Sequence, residues 1–73
     1  MYPMAQKIKA YWKLNHPKLA RALQEENRLD LEAEAAAEES EKMLSFLIAE
    51  KGMKPSEAEE ISNLPWKNPP AAD

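Results

Sequence analysis

Proline and glycine, the strongest interrupters of regular structure, stand in this chain only at positions 3, 17, 52, 55, 65, 69 and 70. Their placement constrains the fold more than any other feature. The stretches between them consist mainly of Ala, Leu, Glu, Lys, Gln and Met, which favour helix. The β-branched residues are limited to Ile8, Ile48 and Ile61, with no valine or threonine at all. Strands draw on those residue types in alternation, with turn dipeptides between them, and neither signal is present. The expected fold is all-α: a compact bundle of three to four helices with one long central helix and an extended Pro-rich C-terminal tail.

Pro3 suits the first turn of a helix, where its missing N–H is not needed, and this helix is expected to end at Leu14 or Asn15. Met4, Ile8, Tyr11 and Trp12 share one face of it. Pro17 disfavours helical geometry at His16, so a second helix is expected from Pro17 to Glu26, with Leu19 and Leu23 as its stripe. Asn27 tolerates the left-handed conformation that ends helices. The third helix, from Arg28 or Asp30 to Lys51, carries Leu29, Ala33, Ala36, Ser40, Met43 and Leu47 at spacings of 3 to 4. Its first half is small and its second half bulky, so Tyr11 or Trp12 is expected to fill the small side. Gly52 is a helix stop. A fourth helix opens at Pro55 or Ser56, with Ala58, Ile61 and Leu64 facing inward, and Leu64-Pro65-Trp66 is expected to end it. The reading gives a single helical domain over 1–66 and a flexible tail over 67–73.

A chain of 73 residues buries only about 60% of the surface its unfolded form exposes. There is no cysteine, hence no disulfide to brace the core, and stability falls to helix packing, oligomerisation or a partner. Apolar runs are no longer than the one around Leu47-Ile48-Ala49, far short of the roughly 20 residues that span a bilayer. A soluble, unprocessed, cytoplasmic protein without membrane association is expected.

Charge is unevenly distributed. Residues 1–23 hold Lys7, Lys9, Lys13, Lys18 and Arg21 and no acid, whereas residues 24–60 set twelve acids against Arg28, Lys42, Lys51 and Lys54. The first segment is therefore +5 and the second −8. Solvated helix faces, or basic helices lying against the acidic one, explain such a pattern without function. A functional alternative is that Glu32, Glu34, Glu38, Glu39 and Glu41 imitate a row of phosphates and occupy a basic groove on a protein partner. A second surface is the apolar strip from Met43 to Ile48, with Phe46 and Trp66 as aromatic anchors. A third is the basic N-terminal segment, where Lys7, Lys9 and Lys13 beside Tyr11 and Trp12 offer phosphate contacts and stacking surfaces to nucleic acid. That third reading is the weaker one, because a net charge of −3 opposes the backbone attraction that dominates such affinity.

Catalysis finds little support. There is no cysteine, His16 is the only histidine, and no serine has a histidine at a local motif spacing. A structural or catalytic metal site lacks ligands of the usual types, and one glycine cannot make a phosphate-binding loop. No cofactor is implied.

Around Tyr11-Trp12, Pro17 and Leu23, and again from Leu47-Ile48 through Gly52-Met53-Lys54-Pro55-Ser56-Glu57-Ala58, the chain resembles small helical accessory proteins encoded by phages and other mobile elements. That resemblance implies a protein that binds and redirects or inhibits a host protein, nucleic-acid-handling machinery included. It carries over no individual site residue. The leading expectation is a non-catalytic interaction module, a regulator or inhibitor of a protein partner. Its alternatives are a small self-associating subunit and a nucleic-acid-binding regulator.

Overall fold

The computed structural model describes residues 3–69, which form four helices and no strand. They are α1 (Pro3–Asn15), α2 (Pro17–Glu25), α3 (Leu29–Lys51) and α4 (Pro55–Lys67). Each joint has a local cause. His16 leaves helical geometry ahead of Pro17. Asn27 adopts φ 58° and Gly52 φ 64°, the left-handed conformation these two residue types tolerate best. At Gly52 the amide of Met53 donates to the carbonyl of Leu47, closing the end of α3. Lys54 stands before α4 with no side-chain cap, so that helix begins at Pro55 and not at Ser56.

Alpha 3 is the spine. Packed against it are α1, α2 and α4; α1 also touches α2 and α4, but α2 and α4 do not meet each other. The shortest dimension across the Cα atoms is 16 Å, room for two layers of helices whose axes lie about 8–10 Å apart. The core is made largely of small residues closed by two indoles: Ala33 and Ala37 of α3 lie under Ile8, Trp12 and Trp66. Alanine at these positions lets the helices approach closely, and the Trp12 ring occupies the small-residue side of the spine as its sequence predicts.

Two expectations for α4 are corrected. The buried positions are Ala58, Ser62 and Trp66, each four residues from the last, whereas Ile61 and Leu64 are exposed. The helix also continues through Leu64-Pro65-Trp66 to Lys67. Tertiary bonds hold this last turn in spite of Pro65. The Trp12 indole N–H donates to the Trp66 carbonyl at 2.7 Å, and His16 Nε2 lies 2.9 Å from the Lys67 carbonyl. These are carbonyls that a helix C-terminus leaves without intrahelical partners. Lys67, expected in the tail, is thus helical, while residues 70–73 of the expected Pro-rich tail lie outside the described residues. No described helix is long and apolar enough to cross a membrane.

Candidate functional site

Because α2 and α4 flank α3 without touching, a trough runs along the spine between them. Its volume is about 650 Å³. Leu19 and Leu23 of α2 form one wall, and Pro65 and Pro69 at the end of α4 form the other. Ala35, Ala36 and Ser40 of α3 lie along the bottom, with the edges of Trp12 and Trp66 reaching it. Met43 closes the described lining at one end, and Arg28, Glu32 and Glu39 supply its charge.

The walls are firmly held. Tyr11 meets the Trp66 ring edge-on, with centroids 5.3 Å apart and planes at 84°, a contact worth about 0.5–1.5 kcal/mol beyond its buried area. Asn63 Oδ1 accepts from the Trp66 indole N–H at 3.1 Å. The Ser40 hydroxyl stands 3.0 Å from that same oxygen and 3.1 Å from the Ser62 carbonyl, so its single proton is shared between them. A carbonyl only accepts, so His16 Nε2 carries the proton in its bond to Lys67, and the buried Nδ1 has no partner. These contacts tie the α1–α2 corner to the end of α4 and fix both sides of the trough.

The trough opens into an apolar strip. Phe46 lies three residues beyond Met43 and Ile61 four residues before Pro65, so both extend the lining along the same helix sides. Met43, Phe46 and Ile61 are 37%, 51% and 40% exposed. The Lys51 ammonium sits 5.9 Å from the Phe46 ring centroid. In the first half of α3 the side carrying Ala33 and Ala37 is covered completely by its neighbours, whereas the strip from Met43 to Ile48 is largely bare.

The five glutamates do not make one face. Helical spacing puts Glu32 and Glu39, seven residues apart, on the trough side; Glu34, Glu38 and Glu41 form a second strip about half a turn away. Glu32 accepts from Arg28 at 2.7 Å and Glu38 pairs with Lys42 at 3.2 Å. The Arg28 guanidinium is held in its charged form, its pKa raised by hydrogen bonds to Glu32 first and Glu26 second.

Trp66, one of the two expected aromatic anchors, is only 3% exposed: its ring is core, and only its edge reaches the trough. Phe46 is the aromatic residue left open on that side. In the N-terminal segment, Trp12 is 5% exposed and Tyr11 is half-buried against Trp66, so neither ring lies open as a base-stacking platform. Lys9 is bound to Asp30 at 2.6 Å, and Lys7 falls on a different side of α1 from Lys9 and Lys13. Among the described residues no group of three or more His, Cys, Asp or Glu is arranged to hold a metal ion.

Ile61, Pro65 and Pro69 escaped sequence reasoning as lining residues. The sequence pattern places Ile61 in the core and the two prolines at a helix end and in a tail. The signal that could have found them is the spacing of four between Ile61 and Pro65, which puts them on one side once the helix continues past the proline. No protein-family model, curated protein or solved structure matches the chain.

Proposed function

We propose that this protein is a non-catalytic interaction module, a regulator or inhibitor of a protein partner, and that the trough between α2 and α4 with its open strip is the docking surface. The observation that carries this reading is the placement of large apolar side chains. Met43, Phe46 and Ile61 stand exposed beside a trough that is itself mostly apolar, although the chain has few large side chains to spare for its core. Contiguous exposure of this kind marks interaction surfaces, unlike single scattered residues such as Leu14 and Leu31. The rigid aromatic clasp behind the trough supports the same reading, since a preformed site loses less entropy on binding.

Site-directed photo-crosslinking tests it. A photoreactive side chain at position 46 is expected to capture a protein from the source cell, with or without nuclease treatment, and one at position 14, exposed on the side of α1 away from buried Trp12, is not. Equal capture at both positions, or capture lost with nuclease, would sink the reading.

A further inference from the structure

We infer that the trough takes a basic amphipathic helix of the partner, with apolar anchors on the trough floor and arginine or lysine along its flanks. This rests on the interaction-module reading and specifies the occupant of the same surface.

Shape gives the first part of the argument. Two helices pack on α3 without touching each other, which leaves a gap of the kind another helix fills. The lining follows α3 from Arg28 to Met43, about 22 Å at 1.5 Å per residue, and Phe46 lengthens it to about 27 Å. An extended strand would find no sheet edge to pair with among these helices, whereas a helix satisfies its own backbone and needs only side-chain contacts.

Charge gives the second. Glu39 lies four residues before Met43, Glu50 four after Phe46, and Glu57 four before Ile61, so all three border the apolar strip. None of the three is joined to a cation among the described residues. Of the cations nearby in sequence, Arg28 is shared by Glu26 and Glu32, Lys42 pairs with Glu38 and Lys51 lies over Phe46, which leaves the exposed Lys54 against the three carboxylates. An apolar centre with free carboxylates at its margins complements a helix of opposite pattern. The same margins count against a second copy, because a twofold contact through this strip would bring the acidic margins of the two copies together. The chain's own basic segment, α1 and α2, has turned its apolar side inward and has mainly charges left to offer.

The probe is a synthetic helical peptide of about 18 residues with leucines at i, i+4, i+7 and i+11 and flanking arginines; its twin carries glutamates in place of the arginines. Titrated into the full chain at low salt, the arginine peptide is expected to bind at least about tenfold tighter than the twin. Met43→Asp should weaken it by about tenfold or more, although the added charge would attract it, while Leu14→Asp, with the same charge change on an exposed position outside the lining, should not. The double variant Glu39→Lys/Glu50→Lys should erase most of the arginine preference. Glu38→Lys/Glu41→Lys, equal in net charge but on the other side of α3, should keep it. Equal binding of the two peptides, or equal effects of the two double variants, overturns the basic-helix assignment. It leaves the docking surface standing if position 46 still crosslinks a partner. A peptide-free dimer in light scattering that Met43→Asp dissolves would make a second copy the occupant and overturn the assignment as well.

Discussion

The two halves of α3 reverse the usual relation between size and burial. Its N-terminal half buries Ala33 and Ala37 completely and keeps Leu29 and Ser40 inside, while its C-terminal half leaves Phe46 and Ile48 exposed. Side-chain hydropathy alone would predict the opposite. Coverage decides the matter: α1, α2 and the end of α4 converge on the Ala33 and Ala37 side of the first half, and the described helices cover the second to a lesser degree. Small residues are what permit that convergence, because each bulky substitution would push a helix away from its neighbour. The exposed half, continuing the trough beside the first, is then a part of the spine left for something outside the chain.

The hardest test of this contrast compares the two aromatic residues expected from sequence to act together. Trp66→Ala removes a buried indole, its bond to Asn63 and its edge contact with Tyr11, and is expected to cost about 3–5 kcal/mol. A domain of this length has only about 4–11 kcal/mol of stability in total, at roughly 0.05–0.15 kcal/mol per residue. Phe46→Ala should stay within about 0.5 kcal/mol of the parent. Urea unfolding followed by circular dichroism reads both, and comparable losses would mean that the two halves do not differ as described.

A second pair sharpens the comparison within the buried half. Ala37 is fully buried, whereas Ala35, two residues away, is exposed and lines the trough. Ala37→Leu is expected to cost about 1–3 kcal/mol by overpacking. Ala35→Leu should be nearly neutral in a thermal melt while filling part of the trough and weakening whatever binds there. A stabilised Ala37→Leu variant would show that the close approach of the helices is looser than their alanines imply.

Gly52 marks the end of the bare half, and its substitution has a smaller effect. No atom lies within 4 Å of where a Cβ would stand, so only the left-handed backbone, φ +64°, resists a side chain. Gly52→Ala should therefore cost about 1 kcal/mol, read as a shift in the urea midpoint with unchanged slope. A loss several times larger would point to a packing role that the surroundings do not display.

Helix positions were largely legible in the sequence because their ends are local events: Pro17, Asn27, Gly52 and Pro55 act through their own dihedral angles. Pro65 was misread for the converse reason. Its turn is kept by bonds from Trp12 and His16, more than fifty residues away, and no local rule contains them. The site was less legible. Five glutamates in one segment read as a row, yet a period of 3.6 divides them between two sides of the helix. Trp66 read as an anchor because it follows a proline near the end of the sequence, but long-range contacts made it core. The exposed strip at Met43 and Phe46 was visible as an excess of bulk with too few elements to cover it, although the trough beside it depends on α2 and α4 standing apart.

Charge segregation gives the smallest expected effect and the finest test of what joins the halves. If the basic segment were positive chiefly to lie on the acidic spine, ion pairs would cross between them in number. Among the described residues the one cross-segment pair is Lys9 to Asp30 at 2.6 Å, while Lys7, Lys13, Lys18 and Arg21 are exposed. Asp30 is two-thirds exposed and sits in the first turn of α3, where a negative charge also favours the helix dipole. Asp30→Asn removes both contributions and is expected to cost less than about 1 kcal/mol. The difference should shrink in about 1 M salt, where the screening length falls to roughly 3 Å. A larger, salt-insensitive loss would make this pair a structural link between the segments; the small loss leaves most of the positive charge without an internal role and open to solvent or to a partner.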